Sequence, residues 1–148
     1  VVADDTANWN TDEALALVET WLTQYPDVGG VWCANDNMAT GALQALDNAG
    51  LKGKVGVTGV DANTDIVEAV RDGNATATVS SNGWLQGGYT LAICYAAWTG
   101  LLDVEALPTE YREFATPAVV ISSPEAAEEY LTSTPEFDFS KIFYCKAD

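Results

Sequence analysis

Residues 30–50 read GVWCANDNMATGALQALDNAG and combine the signals of a strand and of the helix that follows it. Its apolar run from Val31 to Ala34 is short and continuous, and it stops at a polar Asn-Asp-Asn corner. Apolar residues then recur at helical spacing, namely Ala39, Ala42, Leu43, Leu46 and Ala49. Gly50 stands where a left-handed C-terminal cap belongs. The stretch therefore predicts a buried strand that turns at once into a helix.

Strand and helix signals alternate on both sides of this stretch. Val1 to Thr6 is predicted to be the end of a strand, and residues 54–60, 75–80 and 117–122 are predicted to be further strands. The connections up to residue 80 are long enough for crossovers, which favour parallel pairing of successive strands. The predicted fold class is therefore α/β, a doubly wound, mostly parallel sheet with flanking helices.

Helix boundaries are marked by capping residues. Asn10 can cap a first helix, with Glu13 in the capping-box position. Gly73 is the stop signal of a short helix, and Ser123 followed by Pro124 starts the last one. The first helix has one apolar face, made of Ala14, Val18, Trp21, Leu22 and Tyr25.

Residues 83–100 predict a helix of a different kind. It is apolar nearly all round, through Trp84, Leu85, Tyr89, Leu91, Ile93, Tyr95, Ala96 and Trp98. Such a helix needs burial on more than one side. Residues 101–116 are polar and irregular, like a return linker, and residues 132–148 give no clear pattern.

Charge and composition exclude several classes of function. The chain has 22 acidic and 6 basic residues and a net charge of −16, which repels phosphate backbones, so no nucleic-acid partner is predicted. It has no histidine, and its three cysteines, Cys33, Cys94 and Cys145, form no C-x-x-C pair. No glycine-rich phosphate loop follows a strand. We therefore predict no enzyme activity, no metal site and no cofactor.

Polar side chains follow the predicted strands at one edge of the sheet. They are Asn35, Asp36, Asp61, Ser80, Ser81 and Asn82, and the corner after the first strand adds Trp9. Amides and carboxylates hydrogen-bond hydroxyl groups, and an indole covers the C–H side of a sugar ring. Each has a simpler explanation, because Asn35, Asp36 and Asp61 can cap helices and Trp9 can act as a hydrophobic staple. Their convergence on one edge predicts a site for a polyhydroxylated ligand.

Four segments together carry a family resemblance. They are ANWN at 7–10, VWCANDNMATGA at 31–42, GVTGVD at 56–61 and DGNATATV at 72–79. In this order they resemble the C-terminal lobe of type I periplasmic sugar-binding proteins, the ribose-binding-like solute receptors of ABC importers. The resemblance covers about residues 1–131. It implies a two-lobed receptor that closes on a sugar by hinge bending, works with importer membrane subunits, and lies outside the cytoplasm as a periplasmic protein or cell-surface lipoprotein.

The resemblance also implies roles for single residues. Trp9 would stack on the sugar ring, and Asn35 and Asp61 would hydrogen-bond its hydroxyls. With Asn35 in that role, we expect Asp36 to be the helix cap. Ribose-type members carry Gln where Ser81 stands and Phe where Val60 stands, so ribose is not the favoured ligand. Because Ser81 is shorter, either the ligand is larger or a neighbour such as Asn82 or Trp84 takes over. The predicted ligand-binding residues are Trp9, Asn35, Asp61, Ser81 and Asn82.

By the family pattern, the chain holds parts of two lobes. Residues 1–81 would belong to the C-terminal lobe, 82–116 would cross over to complete the N-terminal lobe, and 117–148 would return and form a tail. The main body of the N-terminal lobe would precede Val1, as in an internal fragment or a processed product. The apolar helix at 84–98 would then be covered by that missing lobe or by self-association.

Two other classes of function fit the fold. The effector-binding lobe of a lactose-repressor-type transcription regulator shares it, but would need a basic helix-turn-helix ahead of Val1. The charge of −16 and the five tryptophans argue against that alternative. An α/β enzyme would show a turnover that Asp36→Asn or Asp61→Asn abolishes.

Overall fold

The computed structural model describes residues 1–108 and 116–133. Residues 109–115 of the predicted linker, the tail from 134 onward and Cys145 lie outside them. In chain order the elements are α1 (Thr11–Gln24), β1 (Gly30–Trp32), α2 (Asp36–Asn48), β2 (Gly56–Thr58), α3 (Thr64–Arg71), β3 (Thr78–Ser80), α4 (Gly83–Trp98), β4 (Val119–Ile121) and α5 (Pro124–Thr132). The chain is of the α/β class, as predicted.

The described strands pair in short ladders. β1 and β2 are parallel, with Gly30 opposite Gly56, and an isolated parallel bridge between Thr58 and Ala77 links β2 to the start of β3. β3 pairs antiparallel with β4, with Thr78 opposite Ile121. The pairing from β1 to β3 is therefore parallel, as the crossover lengths predict. A doubly wound arrangement, with helices on both faces of the sheet, stays a prediction.

The predicted strand at Val1 to Thr6 is wrong. Val1 and Val2 are 114% and 63% exposed, and Thr6 N–H donates locally to Asp5 Oδ1 at 2.7 Å. Among the described residues, no backbone hydrogen bond joins this segment to a strand. A β-branched run forms a strand when a neighbouring edge pairs with its backbone, and here none does.

Most of the predicted capping residues at the helix ends are confirmed. Asn10 caps α1 by accepting from the backbone N–H groups of Asp12 and Glu13 at 2.9 and 3.1 Å. Glu13 completes no capping box, because its carboxylate accepts from Asn8 Nδ2 at 2.7 Å instead. Gly50 and Gly73 follow α2 and α3 with φ of 69° and 74°. Ser123 Oγ caps α5 by accepting from Ala126 N–H at 3.2 Å, and Pro124 begins the helix.

The described residues fall into two compact units. The first contains Val1–Ser81 and Val119–Ser133, and the second contains Asn82–Ala118. The first unit has a core whose largest fully buried apolar side chains are Leu46, Val57, Ile66, Val67 and Ile121. Burying each contributes roughly 1.5–3 kcal/mol, so these contacts hold the strand ends in place. The assignment of the units to two receptor lobes stays a prediction.

The second unit contains α4, the predicted apolar helix. Within the described residues only Ala92 and Ala96 on it are buried, while Leu91 and Trp98 are 70% and 82% exposed. No helix in the described part of the chain is both long and apolar enough to cross a membrane.

Candidate ligand-binding site

Trp9 lies on the loop before α1, in a left-handed backbone conformation with φ of 61°. The loop is closed by Asn10 N–H, which donates to the Ala7 carbonyl at 2.8 Å. Trp9 is 64% exposed. Most of its side chain is therefore open to a ligand, and the staple explanation for Trp9 stays a prediction. Trp9 lies on the wall of a cleft of about 810 Å³, with Trp21, Trp32 and Cys33 among the other lining residues.

The predicted helix cap of α2 is assigned to the wrong residue. Asn35, not Asp36, is the N-cap of α2: its φ of −148° is extended, and its Oδ1 accepts from Met38 N–H at 3.0 Å. Asn35 is 8% exposed. Its amide nitrogen donates to no described residue and is accessible at the surface. Asn35 therefore caps the helix and still offers one hydrogen-bond donor.

Asp36 is the first residue of α2 and is fully buried. Its carboxylate accepts from Thr78 Oγ1 at 2.8 and 3.0 Å and from the backbone N–H of Asn63 at 2.7 Å. Gly59 makes room for it, because a Cβ at that position would collide with Asp36 Oδ1. Asp36 thus joins α2 to β3 and to the loop between β2 and α3.

Burial sets the acidity of the groups at this corner. It raises the pKa of Asp36, as do the charges of Asp61 and Asp65, while the hydrogen bonds from Asn63 and Thr78 act in the opposite direction. Burial, assisted by the charge of Asp36, also raises the pKa of the Cys33 thiol to about 11. A thiol with so high a pKa is not a nucleophile at neutral pH.

Asp61 lies on the loop after β2, and its backbone is strained. Its φ is 115° and that of Ala62 is 58°, conformations that cost non-glycine residues on the order of 1–3 kcal/mol each. Asp61 is exposed, and the residue that caps α3 is Asn63. The helix-cap explanation for Asp61 is therefore wrong. Among the described residues, none donates a hydrogen bond to the Asp61 carboxylate.

Two hydrogen bonds hold these loops side by side. Thr11 Oγ1, at the start of α1, donates to the Asn37 carbonyl at 2.9 Å, and Asn63 Nδ2 donates to Asn37 Oδ1 at 3.1 Å. Gly41 lets α1 and α2 approach closely, because a Cβ there would collide with the Thr11 carbonyl. The structure therefore brings the loops of Trp9, Asn35 and Asp61 together at one edge of the first unit.

Comparison with known proteins decides the family. A family model described as a periplasmic binding protein domain matches residues 1–101. The chain belongs to the periplasmic binding proteins. The resemblance inferred from the sequence is thereby confirmed.

Several relatives of this periplasmic binding protein are named as sugar- or polyol-binding proteins. It is 35% identical to a xylitol-binding protein of Mycolicibacterium smegmatis, over 90% of this chain and 37% of the relative. It is 40% identical to the D-allose-binding periplasmic protein of Escherichia coli, over 55% of this chain and 26% of the relative. A solved solute-binding protein of Actinobacillus succinogenes with bound D-allose matches with a TM-score of 0.78 and 32% identity, over 88% of this chain and 43% of that one. The chain thus spans less than half the length of these relatives.

The other two predicted ligand-binding residues, Ser81 and Asn82, lie on neither the Trp9, the Asn35 nor the Asp61 loop. Ser81 ends the continuous part of the first unit, directly after β3, and is half-buried. Asn82 belongs to the second unit, where its side-chain amide donates to the Pro117 carbonyl at 2.6 Å. The structure therefore groups Trp9, Asn35 and Asp61, and the roles of all five stay predictions.

Thr78 and Asn63 also shape this site, although neither is among the residues predicted from the sequence. Thr78 is fully buried, and its hydroxyl both donates to Asp36 and accepts from Ala62 N–H at 3.2 Å. Its signal is its position in β3, where it shares a strand face with buried Ser80. Asn63 contributes through its backbone N–H, which no sequence pattern marks.

Proposed function

We propose that the chain contributes the C-terminal half of the sugar site of an ABC importer's solute receptor. The receptor binds a monosaccharide or related polyol between two lobes that close by hinge bending. One observation carries the proposal. An exposed indole, an accessible amide nitrogen and an exposed carboxylate lie on adjoining loops, at Trp9, Asn35 and Asp61.

The chemistry of these three groups suits a polyhydroxylated ring. The Trp9 indole covers the C–H face of the ring at low entropic cost. Asn35 Nδ2 donates to a ring hydroxyl, and the Asp61 carboxylate accepts from two hydroxyls in charge-assisted bonds, which are about twice as strong as neutral ones. Ser81 and Asn82 supply further contacts.

The names of the relatives support a sugar or polyol as the ligand. One is a xylitol-binding protein, one is a D-allose-binding protein, and a solved relative from Bacillus halodurans has bound myo-inositol, at 32% identity and a TM-score of 0.76 over 88% of this chain and 42% of that one. These three ligands are polyhydroxylated and differ in shape. They support a sugar or polyol as the class of ligand, and a binding experiment identifies the individual ligand.

The remaining partners follow from the same proposal. The receptor docks on the membrane subunits of the importer and lies outside the cytoplasm, in the periplasm or as a cell-surface lipoprotein. The exposed apolar residues of α4, such as Leu91 and Trp98, support a covering N-terminal lobe or self-association through residues 84–98. The alternative, an effector lobe of a lactose-repressor-type regulator, gains no support from the relatives, which are solute-binding proteins.

A ligand-dependent melting shift tests the proposal. The full-length product of the gene is titrated with a panel of aldoses, ketoses, pentitols and inositols. A ligand at one hundred times its Kd stabilises the protein by roughly 2.7 kcal/mol. Asp61→Ala should abolish the shift, whereas Asp27→Ala, which removes an equal charge from an exposed turn, should retain it. If no member of the panel raises the melting temperature, the sugar function is wrong.

A further inference from the structure

The loop that carries Asp61 holds a conformation that its own residues disfavour. Asp61 and Ala62 are consecutive non-glycine residues with φ of 115° and 58°. Neither forms part of a helix or a strand. Interactions from outside the loop must therefore fix this backbone.

Three consecutive backbone N–H groups of this loop have fixed acceptors. Asp61 N–H donates to the Val79 carbonyl at 2.8 Å, Ala62 N–H to Thr78 Oγ1 at 3.2 Å, and Asn63 N–H to Asp36 Oδ2 at 2.7 Å. Two of the three acceptors are side chains. Both are fully buried, and they are bonded to each other.

The direction of each hydrogen bond is determined. Thr78 Oγ1 accepts from Ala62 N–H, so its own proton is available for the Asp36 carboxylate. That carboxylate also accepts from Asn63 N–H. Thr78 and Asp36 thus form a buried polar support beneath the strained residues, and these donors offset part of the cost of burying a carboxylate.

We propose that Asp36 and Thr78 are positioning residues that hold the Asp61 loop in its strained conformation and so aim the Asp61 carboxylate at the ligand. The inference rests on the proposed function. Asp36 makes no contact with the sugar. Because the buried polar support positions Asp61, loss of the Thr78 hydroxyl lowers the affinity for the ligand as well as the stability of the loop.

Thr78→Val tests this in the full-length product of the gene, because valine keeps the shape and removes the hydroxyl. The probe is the member of the sugar panel that binds the unmodified protein, and Kd is measured by calorimetry well below the melting temperatures. We expect Thr78→Val to weaken binding at least tenfold and Thr78→Ser, which keeps the hydroxyl, to restore it to within threefold. The control Val70→Ala removes buried methyl groups from α3 and should leave Kd within twofold.

Amide hydrogen exchange separates this inference from the proposed function. Thr78→Val should accelerate exchange at Ala62 and Asn63 at least tenfold and leave Leu46, in the core, unchanged. If the unmodified protein binds no sugar, the proposed function is wrong, and the claim that Asp61 is aimed at a ligand is wrong with it. Faster exchange at Ala62 and Asn63 in Thr78→Val would then still show that Thr78 holds the loop, and unchanged exchange would show that it does not. If sugar binds and Thr78→Val keeps its affinity, or if Val70→Ala loses as much, Asp36 and Thr78 are not positioning residues. Asp36→Asn provides the same test if Thr78→Val does not fold.

Discussion

Two strand-to-helix corners of the first unit use their polar residues in opposite ways. At the corner between β1 and α2, Asn35 caps the helix from an extended backbone. At the corner between β2 and α3, Asn63 makes no side-chain cap, and Asp61 and Ala62 have positive φ. The first corner therefore has a helix cap from its own side chain, whereas the backbone N–H groups of the second are held by the side chains of Asp36 and Thr78 from neighbouring elements. The Asp61 side chain therefore does not cap α3, and its carboxylate is available to a ligand.

Removing the support should have the largest effect. Asp36→Ala leaves Asn63 N–H and the Thr78 hydroxyl without their acceptor in a buried site, and each unmet group costs about 1–3 kcal/mol. We expect a loss of roughly 2–6 kcal/mol in the free energy of unfolding, measured by urea denaturation. Asp61→Ala, at the supported corner, should change it by less than about 0.5 kcal/mol. Equal losses in the two variants would contradict the comparison.

Alkaline pH should weaken the first corner through Cys33. Its folded pKa of about 11 lies above its usual 9.0, so the folded state favours the neutral thiol. The stability that Cys33 contributes is therefore intact below pH 9 and is lost as the pH rises towards 11, by about 2–3 kcal/mol for a shift of this size. Denaturation curves across that range measure the loss, which Cys33→Ala should remove.

The matched control for this pH dependence is Cys94→Ala, because Cys94 is exposed on α4. That variant should keep the alkaline loss of the unmodified protein. If Cys33→Ala and Cys94→Ala behave alike, the burial of Cys33 does not determine the alkaline loss.

Removing the cap should have a smaller effect on stability. Asn35→Ala loses the hydrogen bond to Met38 N–H and should cost about 0.5–2 kcal/mol. Asn63→Ala, at the other cap position, has no such bond to lose and should cost less. Thermal melting of the two variants checks the order. A larger loss for Asn63→Ala would mean that its contact with Asn37 outweighs the cap.

The sequence predicts features that depend on neighbouring residues and misses those that depend on distant ones. Gly50, Gly73 and the Ser123–Pro124 pair mark helix ends locally, and the structure has them there. Asn35 and Asp36 are both good caps, so only the contacts of Asp36 with Thr78 and Asn63 decide between them. Asp61 is identified by its position after a strand, but its strained backbone follows from acceptors on other elements. Val1 to Thr6 has strand-forming residues and no paired edge.

Glycine substitution gives the smallest and sharpest test of the two corners. Ala62→Gly removes the strain of a left-handed non-glycine residue, which stabilises the folded state by about 1–2 kcal/mol. It also makes the unfolded chain more flexible, which lowers the free energy of unfolding by about 0.4–1 kcal/mol. We expect a net gain of about 0.5 kcal/mol in the free energy of unfolding. Ala34→Gly, before the unstrained first corner, has no such strain to relieve and should lose about 0.5–1 kcal/mol. Opposite signs for the same substitution would show that the Asp61 corner alone stores strain, and a loss in both variants would show that it stores none.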